Sequence, residues 1–246
     1  MEVHAHTHSP RKKWTHYFWE FLMLFLAVTL GFFVENQREH LIEHKREKQY
    51  IRTLIEDLKS DTAQLATSIE ARYEKEQMVD SLVFFLNSPD AAEHGSNIYY
   101  WGYSVLRPSR FFPNDRTIQQ LKNAGNMRLI RKMAVSDSIM AYDQQIKRLL
   151  EIIGEENDIR IQFREFSKKL FDGNTLFYVT DREKTSFNRP PGNPALVKSD
   201  KATINELLVT LHMTQHVMRV GRRNQERLRK TATKLIAFLK KEYHLK

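Results

Sequence analysis

Between Trp14 and Val34 the chain reads WTHYFWEFLMLFLAVTLGFFV, its one stretch apolar enough to lie inside a lipid bilayer. A helix over these 21 residues is about 31 Å long at 1.5 Å per residue, which matches a hydrocarbon core of about 30 Å. A single crossing is the expectation. A cleavable leader competes with it, because the uninterrupted run from Phe21 to Val34 is short and the tail ahead of it is basic. Ala27-Val28-Thr29, however, makes a poor cleavage site. A buried core helix is the third reading, and the clustering of Trp14, Tyr17 and Trp19 at one end speaks against it, since amphipathic rings gather at headgroup depth. The segment is read as an uncleaved anchor with membrane lipid as its partner.

Glu20 is the exception inside this segment. A carboxylate at a helix centre costs roughly 2.5 to 3.5 kcal/mol on insertion scales, and less near the interface. His16 lies four residues earlier on the same helix face, with Lys13 beyond it, so pairing that draws Glu20 toward the headgroups is the simpler explanation. The sharper alternative is a polar contact to a second copy of the span, with Ala27 and Gly31 at small-xxx-small spacing on the close-packed face.

Orientation rests on a near tie. Arg11, Lys12 and Lys13 precede the span, while Arg38, Lys45, Arg46 and Lys48 follow it. Large domains translocate largely regardless of charge, and a short basic tail resembles the retained side of a signal anchor. The expected organisation is a cytoplasmic tail over 1–13, a transmembrane helix over 14–34 and an exported domain over 35–246. The absence of cysteine is compatible with an oxidising compartment without demanding one.

Past the span, apolar residues recur at helical spacing through Ile51, Leu54, Leu58, Leu65, Ile69 and Val83, and no Pro or Gly interrupts residues 35–86. The spacing predicts a stalk helix over 35–86, stopped by Asn87-Ser88-Pro89-Asp90. An aromatic cap over 88–114 follows, with Tyr99, Tyr100, Trp101 and Tyr103, then Phe111 and Phe112. Helices are expected over 115–124, where Gly125 supplies a left-handed stop, and over 133–171, with Gly154 as a potential kink. Residues 172–200 carry Gly and Pro in quantity and read as a long loop. Ser199 or Asp200 can cap a last helix over 201–243 with an apolar stripe through Leu207, Leu211, Met218, Leu228, Leu235 and Leu239. The fold class is therefore all-α: one N-terminal transmembrane helix continuing into a stalk, with an elongated antiparallel helical bundle.

These residues carry a resemblance. Glu20 early in the span, Asn36 and Glu39 at its exit, and Tyr50-Ile51-Arg52-Thr53-Leu54-Ile55-Glu56-Asp57-Leu58-Lys59-Ser60-Asp61 resemble a family of bacterial single-span envelope proteins with a domain of unknown function. Leu121-Lys122-Asn123-Ala124-Gly125-Asn126-Met127-Arg128-Leu129-Ile130, followed by Ile139 and Tyr142, is similar to a second stretch of that family. The resemblance covers residues 11–150. This chain departs from it at Ala27, where glycine is common, and at Gln37, where a tryptophan is usual. It implies an envelope location and a helical domain and brings no established activity; with the orientation above, the expected place is the bacterial inner membrane with a periplasmic helical domain.

Candidate chemistry is sparse. His40-Leu41-Ile42-Glu43-His44 fits H-x-x-E-H, in which two histidines one turn apart hold zinc while the glutamate activates water. Such a site needs a third ligand and a sheltered pocket, and this helix leaves the span amid Arg38, Lys45, Arg46 and Lys48. His212 and His216 form a second one-turn pair, and His4, His6 and His8 a third group in the tail; solvated or partly buried histidines are the simpler account of each. Asp57 and Asp61, one turn apart, read as a solvated face beside Arg52 and Lys59.

From Arg219 to Lys246 the chain has ten Lys or Arg against two Glu, a local balance of +8 that nearly equals the whole-chain +9. Arg219, Arg222, Arg223, Arg227, Arg229, Lys230 and Lys234 are the candidate basic surface, for an anionic leaflet or simply for solvent at a helix C-terminus. No nucleic-acid reading module accompanies them, and no nucleic-acid partner is expected. The aromatics Tyr99 to Tyr103 with Phe111 and Phe112 fit a small satellite core better than a docking face. The expectation is a self-associating, non-catalytic envelope scaffold with other envelope proteins as partners and no cofactor or metal. A sensory input domain that binds a ligand between its helices is the alternative, and a zinc hydrolase at His40, Glu43 and His44 the third reading.

Overall fold

The computed structural model describes residues 14–123, 125–180 and 187–245. The basic tail with its three histidines, Ala124 and Lys246 fall outside them. Two compact units divide the chain, Met1–Tyr50 and Ile51–Lys246. Among the described residues the structure is all-helical, with no named strand and one isolated bridge between Thr180 and Phe187.

The first unit is carried by the start of α1, which runs from Trp14 to Leu86 without a break. The absence of Pro and Gly after Gly31 leaves nothing to interrupt its backbone hydrogen bonding. The apolar part of α1 is long enough to cross a membrane, and none of it is buried against other parts of the protein. Thr29, a hydroxyl within that apolar stretch, donates to the Phe25 carbonyl at 2.7 Å, so the helix satisfies its own polar side chain.

The second unit holds Ile51–Leu86 of α1, then α2 (Gly95–Val105), α3 (Arg116–Asn123), α4 (Met133–Leu170), α5 (Gly173–Val179) and α6 (Lys201–Glu242), with short 3-10 turns over Ala91–His94 and Asn126–Leu129. The boundaries follow local chemistry. Asp172 accepts from the Thr175 N–H at 2.7 Å to start α5, and Asp200 from the Thr203 N–H at 3.0 Å to start α6, each relieving an orphan helix donor. Gly125, at φ +63°, follows the end of α3 in the left-handed conformation expected of it. Gly154 lies inside the unbroken α4.

The stalk helix expected over 35–86 lies within α1, and from Ile51 onward it is also a core element, with Ile51, Leu54, Leu58, Leu65, Val79 and Leu82 all buried. Two expectations are corrected. The segment read as a loop over 172–200 contains α5, started by the Asp172 cap. The aromatic region over 88–114 is largely helical, because its tyrosines and tryptophan lie on α2.

The long helices differ in chain sense. Asp61 meets Tyr142 and Arg72 meets Glu156, so residue numbers rise together along α1 and α4. Along α6 they run oppositely: Asp80 meets Gln215, Glu76 meets Arg222, and Ser68 meets Gln225. The return from α1 to the start of α4 is made by α2, an irregular stretch and α3, with Ser68 bonded to Arg110, Asp61 to Asn114 and Asp57 to Thr117 in descending order. One core gathers Leu82 and Leu86 of α1, Ile98 and Tyr99 of α2, Phe163 of α4 and Phe171 at its end. At its centre Gly102 faces Phe171 so closely that an added Cβ would lie 2.4 Å from the ring.

Candidate functional site

The residues singled out from sequence are mostly dispersed. His16 Nε2 lies 3.0 Å from Glu20 Oε1, one turn apart, which is the pairing expected to ease a carboxylate into an apolar segment. In the H-x-x-E-H motif, His40 Nδ1 sits 3.9 Å from Glu43 Oε2, while His44 Nδ1 turns 3.4 Å toward Glu47 Oε2. No group of three His, Asp or Glu able to hold a metal forms among the described residues. His212 and His216 are both exposed on α6.

The basic face is narrower than its sequence suggests. Arg222 is partly buried and its Nε donates to Glu76 at 2.9 Å while its Nη1 reaches Glu226 at 2.7 Å; these carboxylates hold its pKa above the ordinary value, the Glu76 hydrogen bond foremost. Arg219 lies 3.8 Å from Asp80. Arg223, Arg227, Arg229, Lys230 and Lys234 remain exposed. The aromatics also separate. Tyr99 is fully buried, its ring 4.9 Å from Phe171 and its hydroxyl donating to Ala195 O at 3.1 Å. Tyr100 and Trp101 take the Arg189 guanidinium over their faces, and Tyr103 meets Phe187 edge-on. Phe111 is buried elsewhere and Phe112 is exposed.

The concentrated chemistry lies on α1, on a stripe that alternates steps of four and three: Leu54, Leu58, Asp61, Leu65, Ser68, Arg72, Lys75, Val79, Leu82 and Leu86. Every member but the half-buried Ser68 is buried. Four polar residues thus occupy core positions of a heptad-like seam, where an unpaired group is costly.

Toward one end of this seam stand Asp57 and Asp61, and here the sequence reading is corrected: neither lies on a solvated face. Asp57 is 5% exposed and Asp61 fully buried. Asp57 accepts from the Thr117 N–H at 3.1 Å, from the Thr117 hydroxyl and from Arg116 Nη2 at 2.8 Å, so a carboxylate from α1 serves as the cap of α3. Asp61 accepts from the Asn114 N–H at 2.7 Å, from Asn114 Nδ2 at 3.0 Å and from the Tyr142 hydroxyl at 2.7 Å. Burial, then the Asp61 charge, push the Tyr142 phenol well above its usual range.

Further along, Arg72 Nη1 pairs with Glu156 Oε2 at 2.6 Å, and Ser109 donates to the other Glu156 oxygen at 2.7 Å. Arg72 is 1% exposed, and its Nε and Nη2 have no hydrogen-bond partner among the described residues. Gly221 of α6 lies opposite, where a Cβ would be 2.7 Å from Nη1 and the guanidinium would have to shift. One turn on, Lys75 is 8% exposed and donates to the Arg107 carbonyl. Burial pushes its pKa down to about 8, Glu156 partly opposing the shift and Arg72 and Arg160 adding to it.

A cleft of about 870 Å³ opens here, between the Gln64–Met78 stretch of α1 and the Ser104–Phe111 stretch. Arg72, Lys75, Arg107 and Arg110 line it against a single acid, the exposed Glu74. Sequence reasoning missed these residues because it followed the apolar positions alone; the signal was available in Arg72 and Lys75 continuing the four-three register of Leu58 and Leu65.

No family model matches the chain, and no curated protein or solved structure matches it either.

Proposed function

We propose that this chain is a membrane-anchored helical scaffold or interaction protein of the bacterial cell envelope, with its N-terminus in the cytoplasm and an elongated helical bundle in the periplasm. The observation that carries the reading is the apolar part of α1, long enough to span a bilayer and wholly uncovered by the rest of the protein. Apolar surface on that scale is stable in lipid or against a partner and not in water. The exposed cations of α6 support contact with an anionic surface, and Ala27 with Gly31 at small-xxx-small spacing supports association with a second copy.

Membrane fractionation, protease access and cross-linking test this reading. The chain is expected to stay with membranes through an alkaline wash, residues 35–246 to be cut by protease added to spheroplasts, and cross-linking in native membranes to trap envelope proteins or a second copy. Release by the wash removes the anchor, complete protection of 35–246 reverses the topology, and an uncross-linked monomer overturns the scaffold.

The cation-lined cleft favours a second reading, a ligand-binding input domain that works with a partner protein.

A further inference from the structure

Among the described residues of the second unit, Arg72 and Lys75 are cations buried with few hydrogen-bond acceptors. A buried cation is stable when paired with an anion and its remaining donors satisfied; otherwise its desolvation goes uncompensated. Glu156 is the carboxylate that Arg72 meets, and Ser109 shares it. Two of the Arg72 nitrogens are left without acceptors. The Lys75 ammonium, with three protons to donate, has the Arg107 carbonyl as its acceptor and forms no ion pair among the described residues. Arg110, exposed on the other wall, forms none among them either. Beyond Glu156 the excess continues: the neighbouring cleft shares Arg110 and adds Arg160 and Arg164. Desolvation first, and then Arg164 and Arg110 among its neighbours, press the Arg160 guanidinium below its ordinary value.

Such an arrangement costs stability when empty and binds anions for the same reason. A cleft walled by one sign of charge focuses the field and concentrates counter-ions, and charge-assisted hydrogen bonds to phosphate oxygens are about twice as strong as neutral ones. Ser109 and Ser104 also line the cleft, with their hydroxyl protons already given to Glu156 and to the Tyr100 carbonyl, so the donors for an anion are the cations.

We propose that the cleft between Gln64–Met78 of α1 and Ser104–Phe111 is an anion-binding site for a phosphate-bearing ligand, held by Lys75 from one wall and Arg110 from the other. Phosphate fits better than a monocarboxylate because its three or more oxygens can serve donors on two walls together. The proposal deepens the input-domain reading above and rests on it only for what binding would signal.

The test uses the full chain in phosphatidylcholine nanodiscs, titrated with inorganic pyrophosphate at constant ionic strength. Saturable binding is expected, weakened at least tenfold in Arg110→Gln and in Lys75→Met and unchanged in Arg148→Gln, an exposed cation of α4 outside the cleft. Arg110→Gln keeps the test decisive should Lys75→Met disturb the core, since Arg110 is exposed. If pyrophosphate fails to bind but phosphatidylglycerol in the nanodisc shields Lys75 from acetylation in the wild type and not in Arg110→Gln, the site stands and its phosphate comes from a lipid headgroup. Absence of both effects, or equal affinity in wild type and Arg110→Gln, overturns the proposal. Binding that leaves the cross-linked partners unchanged would retire the input-domain reading and leave the anion site in place.

Discussion

Replacing Glu156 by Leu tests the energetics of the seam most directly. Arg72 and Glu156 are 1% and 6% exposed and meet at 2.6 Å. Removing the carboxylate strips the last acceptor from a guanidinium whose Nε and Nη2 already have none, a loss of about 3–5 kcal/mol for an uncompensated buried charge. Ser109 loses its acceptor as well, adding about 1 kcal/mol, and the buried Leu returns a similar amount. The net expectation is about 4 kcal/mol. In urea, with a slope of about 3 kcal/mol/M, the midpoint falls by about 1.3 M. Trp101 can report the transition in the full detergent-solubilised chain once Trp14 and Trp19, the other two of its three tryptophans, are changed to Phe. The companion variant Arg72→Met/Glu156→Leu removes both charges. Because the pair is poorly repaid for its desolvation, this double variant should lie within about 1 kcal/mol of the parent or above it. A midpoint shift below about 0.3 M for Glu156→Leu, or a double variant less stable than the single one, would refute the reasoning.

Lys75 gives a pH signature. Its folded pKa of about 8 lies below the ordinary 10.5, so between those values the unfolded chain holds more protons and stability rises with pH, by about 3 kcal/mol at most. Tyr142, shifted upward, acts in the opposite sense above about pH 10, so the wild type minus Lys75→Met difference across pH 7–10.5 is the quantity to measure, and a flat difference contradicts the burial argument. Gly102→Ala should cost about 1–3 kcal/mol through overpacking, since its Cβ would meet the Phe171 ring at 2.4 Å; thermal unfolding reads the loss, and Phe171→Leu in the same chain should recover part of it. Asp61→Asn should cost about 1–3 kcal/mol, because one of its two acceptor oxygens becomes an amide nitrogen and either the Asn114 donors or the Tyr142 hydroxyl proton loses its acceptor. Combined with Tyr142→Phe, the cost should be clearly less than additive in a double-mutant cycle.

What the sequence determined by itself is the local part. Trp14–Val34 reads as long and apolar enough to cross a membrane because length and apolarity are properties of the segment alone. The ends of α4 and α6, the left-handed Gly125 and the Asp200 cap are legible for a similar reason, since each depends on residues within one turn. Asp57 and Asp61 show where local reading fails. With Arg52 and Lys59 beside them in sequence they look like a solvated face, yet their partners come from Asn114, Arg116, Thr117 and Tyr142. The heptad seam was written in the sequence, but a charge on a seam is as compatible with a bend, a register error or an exposed edge as with burial. Tertiary structure alone decided that Arg72 finds Glu156, 84 residues away, that Gly221 makes room for it, and that Lys75 and Arg110 face one cleft. The physical reason is range: helix period and capping act over a few residues, whereas the cost of a buried charge is fixed by whichever distant atoms the fold brings to it.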